Sequence, residues 1–114
     1  MEAANILDAA LKTVGIPVSR AWRKETDKKP TAYIVYQLVY SAGELFADDE
    51  DNAEGSTWRI DLFSRENYTA TIQKVIRALK NADFIGVSVE AEQYEHDTGY
   101  YHISFGAKLL IMEE

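Results

Sequence analysis

The sequence predicts an α+β fold in which an antiparallel β-sheet of four to five strands carries two α-helices on one face. Two segments repeat apolar residues at helical spacing, and others alternate apolar and polar residues as half-buried strands do. Their order along the chain is α-β-β-β-α-β-β. For this order we expect both helices on one side of the sheet, so that the other side is polar or contacts another protein.

The first helix is predicted over residues 3–14, where apolar residues recur at spacings of three and four. Gly15 and Pro17 then end it. Residues 18–23 fit a short strand, and a charged loop follows. The segment from Thr31 to Tyr40 is apolar on both faces, which predicts a central strand that is covered on both sides, one side by helices and the other by a partner chain.

The middle of the chain predicts a strand that runs directly into a helix. From Ser56 to Phe63 apolar and polar residues alternate, with Trp58 among those that point inward. Ser64 is a suitable N-cap for the helix that follows. An apolar stripe along this helix ends near Asn81; it consists of Tyr68, Ile72, Val75, Ile76 and Leu79.

The C-terminal part predicts a β-hairpin of two strands, residues 87–95 and 100–111. Asp97-Thr98-Gly99 suits a three-residue loop with Gly99 in the left-handed conformation. This loop would place His96 opposite Tyr100, Gln93 opposite Ile103 and Ala91 opposite Phe105.

Length, charge and composition limit the possible functions. The chain has 114 residues, which predicts a single domain, 1–114. It has no cysteine, which excludes disulfides and thiolate chemistry. Its net charge of −7, without a basic stripe, argues against specific nucleic-acid binding. There is no apolar run of membrane-spanning length and no basic start of a signal peptide, so we expect a soluble protein that acts inside a cell and contacts no membrane.

An acidic loop is predicted at about residues 42–55, with six carboxylates: Glu44, Asp48, Asp49, Glu50, Asp51 and Glu54. A calcium loop of the EF-hand type needs glycine at its sixth position. Starting at Asp48, that position is Ala53, and starting at Asp49 it is Glu54. The loop therefore does not fit a calcium site, and it is either a mobile, self-repelling segment or an acidic surface used in assembly.

The predicted hairpin register puts His96 and His102 on one face, with Glu92 further along it. These three could ligate a metal, but an open hairpin offers no supporting shell. A subunit interface is the other interpretation, because aromatic residues with polar tips are enriched at interfaces. The interface candidates are Tyr94, His96, Tyr100 and His102.

The sequence contains no nucleophile motif, no glycine-rich phosphate loop and no rigidly placed carboxylate pair. We therefore expect no catalytic residues, no cofactor and no enzymatic activity.

Two segments resemble a known family. Trp58–Tyr68, followed by a helix, resembles the strand-to-helix segment of tail-completion proteins, the tail terminators or head–tail joining proteins of long-tailed phages and prophages. Tyr94–His102 is similar to the hairpin near their C-termini. The resemblance extends from about Thr31 to Leu110.

The resemblance implies a ring, expected to be a hexamer, that caps the tail tube and offers a surface to the head. The implied partners are other copies of the chain, the tail-tube protein and a head-completion protein. The implied location is the head-proximal end of the tail in the virion, and the host cytoplasm during assembly. The acidic loop could then line the lumen, where its carboxylates would repel DNA. The alternatives are a head-completion or stopper protein at the same junction, a small-molecule-binding bacterial domain, and an interaction module outside any virus.

Overall fold

A computed structural model describes residues 2–23, 30–42 and 53–112 of the chain. The elements follow the predicted order, and the α+β class is confirmed. They are α1 (Glu2–Lys12), β1 (Val18–Arg20), β2 (Ala32–Ala42), β3 (Ala53–Ser64), α2 (Thr69–Asn81), β4 (Ile85–Glu95) and β5 (Tyr100–Met112).

The five strands form one sheet in the order β1-β2-β3-β5-β4. The prediction of a purely antiparallel sheet is wrong at β1, which pairs in parallel with β2 and places Val18 beside Ile34. Parallel neighbours need a connection of about a dozen residues to bring the chain back. The stretch from residue 21 to residue 31 supplies that length. The central strand is β3 rather than β2, which lies one position from the edge.

Both helices pack on the same face of the sheet. The alternation in β3 directs Trp58, Ile60 and Leu62 to this face, and β5 adds Ile103 and Phe105. All five side chains are fully buried. The helices complete the core with an apolar stripe each: Leu7 and Leu11 from α1, Val75 and Leu79 from α2. The inward residues of β3 and the stripe of α2 are those that the sequence indicates.

The start of α2 differs from the prediction. Ser64 is not the N-cap but the last residue of β3, and its hydroxyl bonds the backbone of Glu66 in both directions. The helix begins at Thr69, whose amide donates to Asn67 Oδ1 over 3.0 Å. The amide side chain of Asn67 competes for this backbone group as asparagine does at turns, so the chain turns for four residues before the helix begins.

The predicted register of the β4–β5 hairpin is wrong. Glu95 pairs with Tyr100, and Gln93 pairs with His102. The loop therefore has four residues, from His96 to Gly99, and the Glu95 carbonyl accepts the Gly99 amide over 2.8 Å. The predicted left-handed conformation of Gly99 is confirmed, with φ of +78°.

A second irregularity displaces the hairpin further. The register shifts between Val89 and Ala91, so that Val89 pairs with Phe105 but Ala91 pairs with Ser104. Glu90 is the extra residue of this bulge. Its carboxylate lies over Gly106, where a β-carbon would collide with it. The one-residue change at the loop puts Ala91 on the face opposite to the one predicted, and the bulge returns Val89 to the face of Phe105.

The predicted acidic loop is too long at its C-terminal end. Glu54 lies within β3, where its backbone is paired with that of Ile111. The other five acidic residues lie outside the described residues.

We expect Trp58→Ala to lower the free energy of unfolding by about 3–5 kcal/mol, since it empties a large space in the core. The side chain of Trp58 is fully buried and its Nε1 donates to Ser56 Oγ over 2.8 Å. Trp22→Ala is the matched control, because Trp22 is 68% exposed and should change stability by about 0.5 kcal/mol or less. Chemical denaturation measures both. Equal losses would contradict the core position of Trp58.

We expect the free energy of unfolding to fall at alkaline pH because Tyr36 loses its proton. Burial, assisted by a hydrogen bond from its hydroxyl to Asp8, raises the pKa of Tyr36 from 10.0 to about 12. Because the folded chain holds this proton more tightly, the resulting stability is complete below pH 10 and is lost as the pH rises through about 12. Tyr36→Phe should reduce this alkaline loss. Denaturation curves across that interval test it, and a constant difference between variant and wild type would contradict it.

Candidate interaction surface

The two segments that carry the family resemblance are joined in space. Antiparallel pairing of β3 with β5 places Phe63 beside His102 and Ser64 beside Tyr101. Arg65, which follows β3, donates to the Thr98 carbonyl in the hairpin loop over 2.9 Å. We call this region the hairpin junction; its residues are Asp61, Phe63, Arg65, Tyr68, Tyr94, Tyr100, Tyr101 and His102. It has one side on the sheet face opposite the helices, the open face, and another on the helix face.

On the open face a carboxylate forms the centre of a polar network. Asp61 Oδ1 lies 2.8 Å from His102 Nε2, 2.9 Å from Ser104 Oγ and 3.1 Å from Arg59 Nε. Asp61 is 8% exposed, so these donors replace the water that a carboxylate would otherwise bind. An ionised carboxylate only accepts hydrogen bonds, and the geometry therefore puts a proton on His102 Nε2.

An aromatic stack adjoins this network. The Phe63 ring lies 4.4 Å from the His102 ring and 4.7 Å from that of Tyr33, nearly parallel to both. Tyr100 meets Phe63 and Tyr33 edge-on. The guanidinium of Arg65 lies over the Tyr100 ring at 4.4 Å, a favourable cation–π distance. Burial raises the pKa of Tyr33, with a smaller contribution from Tyr100.

On the helix face the junction presents a row of aromatic rings that we call the tyrosine row: Tyr68, Tyr101, Tyr94 and His96. Successive ring centres are 5.3, 4.8 and 5.1 Å apart. The Tyr68 hydroxyl donates to the Glu92 carboxylate, and this bond raises the pKa of Tyr68 to about 12. Tyr94 is 45% exposed and Tyr101 39% exposed. The row therefore combines apolar surface with polar tips, as interface residues often do.

The four predicted interface candidates do not form one patch. Tyr94 and His96 belong to the tyrosine row, whereas Tyr100 and His102 lie on the open face. The one-residue register difference is the cause, because a single step moves a strand side chain to the other face. Tyr100 is 3% exposed and its hydroxyl donates to the Pro30 carbonyl over 2.6 Å. The predicted interface role of these residues stays a prediction.

The same separation removes the geometry considered for a metal site. His96 and His102 do not share a face, and Glu92 bonds Tyr68 on the helix face. Within residues 2–23, 30–42 and 53–112, no three His, Asp or Glu side chains converge as metal ligands would. In the same part of the chain, no helix is long and apolar enough to cross a membrane.

Sequence reasoning missed the Asp61 network and the tyrosine row. Arg59 and Asp61 occupy two of the outward, polar positions in the alternation of β3. Residues two apart on a strand share a face, so the opposite charges of Arg59 and Asp61 indicate an ion pair that the sequence alone could have predicted. The helical spacing puts Tyr68 in the apolar stripe of α2. The partners of Tyr68 and Tyr101, Glu92 and Tyr94, could be identified only from the correct register.

Comparisons with known proteins support the fold. No protein-family model matches the chain, and no curated protein matches it significantly. One solved structure, of a protein designated only by a number, has a TM-score of 0.55 at 10% sequence identity, covering 97% of this chain and 96% of that one. The chain therefore shares its overall fold with that protein.

Two looser likenesses have TM-scores below 0.5. One is to a protein of the virion of a native gene transfer agent particle, with a TM-score of 0.43 and 16% identity over 92% of this chain and 84% of that one. The other is to a sheath/tube terminator of an extracellular contractile injection system in its extended state, with a TM-score of 0.45 and 11% identity. The latter match covers 98% of this chain and 56% of the terminator.

Removing the central carboxylate should destabilise the fold. We expect Asp61→Ala to cost about 3 kcal/mol, because it leaves Arg59, His102 and Ser104 without their common acceptor. Asp97→Ala is the matched control: Asp97 is exposed in the hairpin loop, and its loss should cost about 0.5 kcal/mol or less. Urea denaturation compares the two. Similar stabilities would show that the network contributes little.

Proposed function

We propose that this chain is a tail terminator of a long-tailed phage or prophage, which assembles as a ring, caps the tail tube and joins it to the head. The observation that carries the proposal is the hairpin junction. The segments Trp58–Tyr68 and Tyr94–His102 resemble the family separately, and they interlock through the Asp61–His102 bond, the Phe63–His102 stack and the Arg65–Thr98 bond. The resemblance therefore falls on one three-dimensional unit.

The surfaces of the fold suit a protein that acts by self-association. Both helices pack on one face, and in the described part of the chain the opposite face carries no helix. The tyrosine row adds partly exposed aromatic surface on the helix face. Aromatic residues are enriched in subunit interfaces, where they exclude water over a large area at small entropic cost. Copies of this chain, the tail-tube protein and a head-completion protein are the proposed partners.

We propose a role without catalysis. The carboxylate at the centre of the junction, Asp61, already accepts bonds from Arg59, His102 and Ser104. A carboxylate with one oxygen bonded to three neighbouring side chains stabilises local structure, which is the role that we propose for Asp61. Neither of the two described surface depressions is lined by Asp61, His96 or His102.

Polymerisation of the tail-tube protein from the same virus or prophage tests the proposal. Tubes grown with the chain present should be shorter and more uniform, with the chain at one end, because a cap stops the addition of subunits. Electron microscopy with a labelled chain measures length and position. An unchanged length distribution, with no chain at the ends, would contradict the capping function.

Copurification separates the terminator from the stopper alternative. A terminator should purify with headless tails from a lysate in which head assembly is blocked. A stopper should purify with tailless heads from a lysate in which tail assembly is blocked.

The tyrosine row gives a mutational test. Tyr94→Asp should abolish ring formation or capping, because it places a carboxylate among aromatic rings that lie near Glu92. Tyr94→Phe is the matched control and should assemble normally, since it keeps the ring. Circular dichroism verifies that both variants fold, and the capping assay compares them. Equal capping by the two variants would contradict the interface role of Tyr94.

A further inference from the structure

A groove runs between the two helices. Its walls are small and mostly apolar residues of α1 and α2: Ile6, Ala9, Ala10, Thr13, Ala78, Asn81 and Ala82. Its volume is about 560 Å³. Alanines along facing helices leave a depression that longer side chains would fill. We call this depression the interhelical groove.

One end of the interhelical groove is basic. A second depression of about 250 Å³ adjoins it, shares Thr13, Ala78 and Asn81 with it, and is lined by Lys74 and Arg77. With Lys80, these give α2 three cations and no acidic residue. Within the described residues, none of the three lies within ion-pair distance of a carboxylate, whereas Lys12 of α1 is paired with Asp8 at 2.7 Å.

The chain itself contains a segment of complementary chemistry. Residues 44–51 read Glu-Leu-Phe-Ala-Asp-Asp-Glu-Asp, so that two large apolar residues precede four consecutive carboxylates. Leu45 and Phe46 suit an apolar groove lined by alanines. The carboxylates suit the cations of α2. In a chain of net charge −7, Lys74 and Arg77 lie on a helix without acidic residues and form a distinct local attraction for such a segment.

We infer that the interhelical groove binds segment 44–51 of a second copy of the chain. A contact between two different surfaces of identical copies is heterologous, and heterologous contacts close into rings when the rotation between copies allows it. The inference adds a specific contact to the proposed function. It rests on that function for the assumption that copies of the chain associate with one another. The groove and the charge complementarity are independent of whether the ring caps a tube.

A peptide titration tests the groove. The receptor is the full-length chain with its own acidic segment neutralised by Asp48→Asn, Asp49→Asn, Glu50→Gln and Asp51→Asn, and the probe is a fluorescent peptide of residues 43–52. We expect saturable binding by fluorescence anisotropy that weakens as salt is added, because exposed charges are screened.

Charge reversal locates the binding site. Adding Arg77→Glu to the receptor should weaken peptide binding by about tenfold. The matched control is Lys108→Glu, which makes the same charge change at an exposed position of β5 and should leave binding within about twofold. Equal effects of the two reversals, or no saturable binding, would overturn the inference.

Mixing two variants tests whether the contact joins separate copies. The acid-neutralised chain keeps the groove, and Lys74→Glu/Arg77→Glu keeps the segment. Each alone should be monomeric, and an equimolar mixture should form dimers that grow no further, because each pair uses the only intact groove and the only intact segment. Analytical ultracentrifugation measures this.

Peptide binding without dimers in the mixture would overturn the inference, since the groove would then bind the free peptide but not the same segment within a second copy of the chain. Dimers in the mixture together with unaffected tube growth would contradict the proposed function but not the groove. If Arg77→Glu leaves capping unaffected and the peptide does not bind, the groove contact would be contradicted but the proposed function would not.

Discussion

The pairing of β3 with β5 is the interaction on which the rest of this structure depends. It runs in unbroken register from Ala53–Met112 to Ser64–Tyr101. On the helix face it assembles the fully buried side chains that α1 and α2 cover, with Trp58 beside Ala107 and Ile60 beside Phe105. On the open face it creates the Asp61 network. The same pairing brings together the two segments on which the functional proposal rests.

The network around Asp61 gives this pairing a specific register. Asp61 lies directly opposite Ser104 and diagonal to His102, so both bonds form in one alignment only. A shift by one residue would turn Ser104 and His102 to the helix side and leave a buried carboxylate with fewer donors. Buried ionic groups contribute less to net stability than to the choice among alternative structures in some proteins, and the position of Asp61 fits that role.

The sequence predicts those features of the fold that depend on periodicity. The alternation around Trp58 and the stripe of α2 from Val75 to Leu79 report directly which side chains are buried, because burial is what produces these patterns. Features that depend on single residues were not predictable in this way. The bulge at Glu90 and the four-residue loop before Tyr100 each change the register by one step.

The candidate site illustrates the same limit. Tyr94, Tyr100 and His102 are part of the hairpin junction and His96 contacts Tyr94, as their proximity in sequence suggests, but assigning them to faces required the register. The three residues of β1 likewise show no pattern that would indicate its parallel pairing with β2. It depends on the path of the connection to β2, which residue composition alone does not specify.

The last strand in the described part of the chain is an interior strand of the sheet, next to the central strand β3. β5 lies between β3 and β4, and Tyr100 at its start is bonded to Pro30, far back in the chain. Contacts between residues so distant form slowly, and here the core cannot close before β5 has left the ribosome. A chain interrupted before residue 100 would expose the edge of β3 that pairs with β5, together with the apolar face that carries Trp58. Incomplete translation products would therefore aggregate or be degraded, and only copies that contain β5 would reach the folded state.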